Sequence, residues 1–369
     1  MSDTVPLVDL AHQHSEVADE IDRGFRKTLA SCAFVMGEEV RLFEQEFAER
    51  SGVRHCIGVG SGTDALELAL RALDVGPGDE VVVPVNTFAA TALAAVRAGA
   101  TPVLVDCDPA CYVIEPDQLE ATISERTKAI IPVHLYGQMA PMQEVLAIAD
   151  QHGIAVLEDA AQVQGATQNG VPAGSAGHAG ATSFYPSKNL GAYGDAGAVL
   201  TSSDETAARV RGLRNYGSEQ KNHHPVFGVN SRLDTLQAVV LRAKLKRLAA
   251  WNEQRRQAAQ CYDEMLSDLD DVVRPATMPG NDHVFHLYVI QVPERDRTLE
   301  SLREAGVHAG VHYPAPLHLL GAFQHLAHGK GSFPVAERLA GSILSLPLFP
   351  GITVEQQQRT VDALRKALR

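Results

Sequence analysis

Lys188 sits where lysines seldom sit. It lies in Ala181-Thr182-Ser183-Phe184-Tyr185-Pro186-Ser187-Lys188-Asn189-Leu190-Gly191, followed by Gly194 and Gly197, among apolar and small residues. A lysine is ordinarily a solvated surface charge. Taken out of water it loses proton affinity, and the neutral amine is the nucleophile that Schiff-base chemistry requires. Ser183 and Ser187 add hydroxyl donors suited to a phosphate.

Two further constellations supply complementary chemistry. Gly58-Val59-Gly60-Ser61-Gly62-Thr63-Asp64-Ala65-Leu66 follows a short apolar run and opens a helical one. Free N–H groups and the positive helix end converge at such a junction, glycines admit an anion closely, and Thr63 adds a hydroxyl. A tight turn with an N-cap explains the same residues. The spacing is not the dinucleotide G-x-G-x-x-G, and no acidic residue ends the next strand at the distance that fold requires. In Ala155-Val156-Leu157-Glu158-Asp159-Ala160-Ala161-Gln162, Asp159 falls at the carboxyl end of an apolar strand, where open α/β sheets place ligands. A carboxylate there can hold a proton on a pyridine-type nitrogen. Taken alone, an Asp capping the following turn explains it better.

These residues need a scaffold, and the apolar pattern describes one. Strands at Ile57–Val59, Glu80–Val85, Thr101–Val105, Lys128–Val133 and Ile154–Leu157 alternate with helices at Ala65–Leu73, Ala89–Ala98 and Met142–His152. Strands separated by helices imply an α/β fold with mainly parallel pairing and helices on both faces. The helical spacing through Leu233–Leu266 predicts one long helix leading into a second domain. A strand at His286–Val292 and helices at Leu299–Ala305 and Thr353–Leu368 follow. The expected division is a large domain over residues 1–250 and a small α+β domain over 251–369, with an N-terminal segment able to pack on the small one.

The 369 residues carry a formal net charge of −13, which disfavours nucleic acid and anionic membrane as partners while leaving room for a small anion in a local pocket. Met1 to Glu20 has neither a basic region nor a continuous apolar stretch, so no signal peptide and a cytoplasmic location are expected. The five cysteines, Cys32, Cys56, Cys107, Cys111 and Cys261, are scattered and odd in number, which fits reduced thiols. The pairs His223-His224 and His325…His328 lack accompanying ligands at metal spacing and read as surface or loop histidines.

Four motifs in order, SGTDAL, EDAAQ, SFYPSKNLGAYGDAGA and GVNSRLDTLQA, resemble the DegT/DnrJ/EryC1/StrS family, from Pro6-Leu7-Val8-Asp9-Leu10 through Tyr313-Pro314-Ala315-Pro316-Leu317-His318. That resemblance implies an aspartate-aminotransferase-like fold, pyridoxal 5'-phosphate as cofactor, and amino transfer from L-glutamate to a dTDP-linked keto-deoxysugar at C-3 or C-4. Ser183–Ala198 looks closest to members acting at C-3. By motif, Lys188 corresponds to the Schiff-base lysine and Asp159 to the pyridine-nitrogen partner. Gln162 corresponds to the neighbour of the phenolic oxygen, and Gly62, Thr63 and Ser183 to phosphate ligands. Phe88 stands where the family places a ring over the pyridine face, and Asn230 matches an asparagine given by the partner subunit, implying a homodimer with shared sites. Tyr313, His318 and Lys221 are carried over as sugar-nucleotide contacts. Lysine at 188 speaks against the dehydratase branch, in which histidine replaces it. A cofactor-binding regulator without turnover and, on the glycine turn alone, a dinucleotide-dependent oxidoreductase are the competing readings.

Overall fold

The computed structural model describes residues 4–218, 220 and 222–369. Its centre is a seven-stranded sheet: β1 (His55–Val59), β2 (Glu80–Pro84), β3 (Thr101–Val105), β4 (Thr127–Ile130), β5 (Ala155–Asp159), β6 (Ala179–Ser183) and β7 (Gly197–Thr201). The spatial order is β1-β7-β6-β5-β4-β2-β3. Pairings from β3 through β6 are parallel, and β7 alone runs the other way, antiparallel to both β6 and β1. The expected mainly parallel α/β sheet is therefore present.

Alternation along the strands explains why both faces are covered. Val81 and Val83 of β2 join one apolar cluster with Leu66, Leu68 and Ala92, whereas Val82 joins a second with Met142, Val145 and Val156. Side chains at period two point to opposite faces, so a strand apolar throughout must be sandwiched by helices. The helices Gly62–Ala72 and Ala89–Ala98 supply the first face, and Met142–His152 the second.

A third cluster gathers Val5 from the N-terminus with Tyr262, Tyr288, Ile290, Leu302, Leu344, Leu346, Val361 and Leu364. It encloses a two-stranded antiparallel sheet, Tyr288–Gln291 against Ile343–Leu346. The terminal helix Val354–Ala367 opens on Thr353 and Gln356 in a reciprocal capping box.

One expectation is corrected. The apolar run 233–266 is two helices, Thr235–Leu245 and Leu248–Met265. At the junction the Arg247 N–H bonds to Lys244 O, a tighter i−3 bond in place of the α-helical i−4. The apolar spacing carries on across the break, with Leu245 and Leu248 in one cluster, so the sequence reads as a single helix. Among the described residues, no helix is long and apolar enough to cross a membrane.

Candidate active site

The carboxyl ends of the parallel strands converge on a cavity of about 430 Å³. Its walls include Gly62, Thr63, Phe88, Asp159, Gln162, Ser183, Lys188 and Tyr313, so eight of the residues singled out from sequence lie together.

The floor comes from the helix following β1. Ser61 caps it, its hydroxyl accepting the Asp64 N–H at 3.1 Å. N–H groups of a helix's first turn lack intrahelical partners, and those of Gly62 and Thr63 belong to that turn. Close approach demands glycine here. A Cβ on Gly62 would lie 2.6 Å from Ser183 Cβ, and one on Gly197 only 2.4 Å from the Ser61 carbonyl carbon. Beneath the turn, the Gly60 N–H donates to Ser231 Oγ at 2.9 Å and Ser231 donates to Asp64 Oδ2 at 2.7 Å.

Asp159 is the last residue of β5, and it is 5 % exposed. The Thr91 hydroxyl donates to it at 2.8 Å and the Ala161 N–H at 3.2 Å. Burial pushes its carboxyl up, while Thr91, Ala161 and the Lys188 charge pull the other way. Across from it Lys188 stands on the loop between β6 and β7. Burial lowers its amine to about 8, and the Asp159 charge opposes that fall. An ordinary lysine near 10.4 leaves roughly one amine in three thousand neutral at pH 7, against about one in ten at 8.

The roof is aromatic and amide. Gln162 Oε1 accepts the Tyr136 N–H at 2.7 Å, which turns its Nε2 toward the Tyr313 hydroxyl at 3.2 Å. The Tyr136 hydroxyl donates to the His312 carbonyl. Phe88 and Tyr313 rings meet with centroids 5.3 Å apart, tilted by 37°. His312 and His286 also line the space, and burial lowers both imidazoles, His312 to about 4.

Other expectations fall elsewhere. Asn230 is exposed, pairs by backbone with Asn215, and does not line the cavity of its own chain. His318 is also absent from the cavity wall. It is buried, with Nε2 3.0 Å from Glu337 Oε1 and its ring against Phe333. Lys221 lies outside the described residues. Sequence reasoning missed Thr91, His286 and His312. Thr91 was within reach, one helical turn after Thr87, whose hydroxyl lies 3.0 Å from its own.

Comparison with known proteins identifies the type of molecule. Residues 15–365 match the DegT/DnrJ/EryC1/StrS aminotransferase family. A UDP-N-acetyl-3-dehydro-alpha-D-glucosamine 3-aminotransferase from Acidithiobacillus ferrooxidans is 49 % identical, with 99 % of this chain and 98 % of that protein covered. A pleiotropic regulatory protein from Geobacillus stearothermophilus is 47 % identical over 99 % of both chains. The crystal structure of DesV from S. venezuelae in complex with a ketimine intermediate superimposes with a TM-score of 0.97 at 44 % identity, covering 99 % of each chain. Matched over residues 15–365 and by full-length relatives at 47–49 % identity, the chain belongs to the DegT/DnrJ/EryC1/StrS aminotransferase family, whose enzymes work through pyridoxal 5'-phosphate.

Proposed function

We propose that this protein transfers the amino group of L-glutamate to the C-3 keto group of a nucleotide-linked sugar, a dTDP-linked keto-deoxyhexose being the first candidate. The observation that carries this reading is the buried Lys188 amine sharing one cavity with the buried Asp159 carboxylate. The residues fit pyridoxal 5'-phosphate. Gly62, Thr63 and Ser183 form a cradle that a Cβ at 62 would fill, suited to its phosphate. Asp159 suits its ring nitrogen and Gln162 its phenolic oxygen.

When bound, the cofactor supplies an electron sink for a negative charge developing on the amino-bearing carbon. The chain's own residues do the rest. Neutral Lys188 would hold the cofactor by its amine. When free, its Nζ would take the proton from the donor's α-carbon and hold it for return. Asp159, as a carboxylate, would hold a proton on the cofactor's ring nitrogen. Phe88 and Tyr313, whose rings meet in the cavity wall, would limit water at the reacting atoms. In this reading Asn230 from a second copy of the chain completes the phosphate site, and the working unit is a homodimer. Position C-3 is favoured by the similarity of residues 183–198 to members acting there, and by the activity for which the Acidithiobacillus relative is named.

The test is purified protein reconstituted with cofactor. Glutamate should bleach the long-wavelength absorbance, and 3-keto sugars on dTDP and UDP should restore it with an aminated product visible by mass. Restoration by 4-keto sugars alone would sink the C-3 assignment. A second reading, a regulator that binds cofactor without turnover, is favoured by the name of the Geobacillus relative. No spectral response to any amino donor would leave that reading standing.

A further inference from the structure

Lys188 has a counterpart outside the cavity. Lys244, in the last turn of Thr235–Leu245, is 2 % exposed, and burial lowers its amine to about 8. Among the described residues no carboxylate pairs with it. Its Nζ donates to the Gly191 carbonyl at 2.7 Å and lies 4.6 Å from the centre of the Tyr193 ring. Two turns earlier on the same helix, Gln237 accepts the Tyr193 N–H on Oε1 at 2.8 Å and donates to the Tyr193 carbonyl at 3.3 Å. Two side chains of one helix thus grip the backbone of residues 191–193.

The gripped segment belongs to the loop that bears Lys188. A Cβ on Gly191 would come within 2.2 Å of the Pro186 carbonyl oxygen, so the loop's two sides touch backbone to backbone. The Ala192 N–H bonds to Phe184 O and the Lys188 N–H to Tyr185 O, both at 2.8 Å. On the far side Asn189 donates to Asn252 Oδ1 and Val284 O. During turnover the Lys188 side chain must let go and re-engage, while its Cα must return the amine to the same place. A buried carbonyl such as that of Gly191 needs a donor, and a buried ammonium needs acceptors, so each fixes the other.

We propose that Lys244, with Gln237, is a positioning residue: a clamp from the Thr235–Leu245 helix that holds the Lys188 loop in register while the Lys188 side chain changes partners. This rests on Lys188 being the reacting amine.

The experiment compares the unaltered protein with Lys244→Met and Gln237→Met. In the cofactor-free form, amide exchange in the peptide spanning 185–194 should rise about tenfold in each variant, with β5 protected as before. In the reconstituted enzyme the single-turnover rate with glutamate should fall about tenfold. Half-saturation by glutamate should stay within about twofold, a split that general loosening of the fold does not produce. Folded Lys244→Met with unchanged exchange and rate overturns the clamp. Should that variant not fold, Gln237→Met is read the same way. Borohydride trapping separates the two claims. No adduct on Lys188 of the unaltered protein removes the amine assignment and the clamp with it, whereas an adduct beside unchanged loop behaviour removes the clamp alone.

Discussion

Glu158 and Asp159 are neighbours on one strand, both buried carboxylates, and they live in opposite worlds. Glu158 accepts from His134 Nε2 at 2.8 Å, from the Gly174 N–H at 2.8 Å and from the Gly177 N–H at 2.7 Å. Because His134 Nδ1 accepts the Ala140 N–H, the ring donates from Nε2, and the carboxylate ties three segments together. Among the described residues Asp159 has only Thr91 and one amide, and it lines the cavity. The strand's alternation assigns one carboxylate to each face. Depth is therefore no guide to role: a saturated carboxylate belongs to the fold, and one left with spare capacity belongs to the chemistry.

That contrast can be broken by experiment. The largest effect belongs to Lys188→Ala, which should cut single-turnover transamination by about 10⁴-fold while melting no lower than the parent, read by stopped-flow absorbance and calorimetry. Asp159→Ala should follow at roughly 10²–10³-fold in kcat. Its folded carboxyl is raised above the unfolded value, so at neutral pH it opposes folding, and the variant should melt no lower than the parent. Glu158→Ala should do the reverse. Leaving His134 and two amides unpaired should cost about 3 kcal/mol in denaturant unfolding, while kcat per folded molecule changes little. Lost activity without lost stability in Glu158→Ala would abolish the distinction.

The pH dependence sharpens the same point. Capture of cofactor by the cofactor-free protein needs neutral Lys188. Its rate should climb about tenfold per pH unit and level off near 8, whereas an ordinary lysine would drive it upward beyond 10. The folded amine is depressed, so the unfolded chain binds more protons between about 8 and 10.5, and this group's contribution to stability rises with pH across that window. The smallest effect is expected of Asn230→Ala: a several-fold faster loss of cofactor, measured by dialysis, in a protein of unaltered melting. No change there would count against a site shared between subunits.

Much of this arrangement was legible in the sequence, for identifiable reasons. Strands β2 and β3 and the helices Ala89–Ala98 and Met142–His152 were marked by apolar runs of the right length, bounded by Gly99 and Gly153 at positive φ. Gly62, Asp159 and Lys188 were betrayed by motifs lying at or just beyond the ends of β1, β5 and β6. Other features were hidden because they depend on contacts between distant segments. Nothing local announces that β7 is inserted between β6 and β1, since its pairing with β1 joins residues far apart in the chain. His318, in the same loop as Tyr313, gave no local sign that it would be buried against Glu337 and Phe333 and away from the cavity wall. His312 was overlooked because a histidine in a loop carries no periodic signal.

The reversal at β7 bears on how the molecule is assembled. Ser183 pairs with Gly197 at the same rung from which the Lys188 loop departs and to which it returns. That loop closes within a short stretch of chain, so little conformational freedom is lost in forming it, and such contacts form early. The cradle is different: Gly62 meets Ser183 only after the intervening strands and helices have found their places. The proposed phosphate site should then be among the last features the refolding chain completes. The yellow colour of bound cofactor would serve as a built-in indicator of completed folding, lagging the recovery of helix seen by circular dichroism.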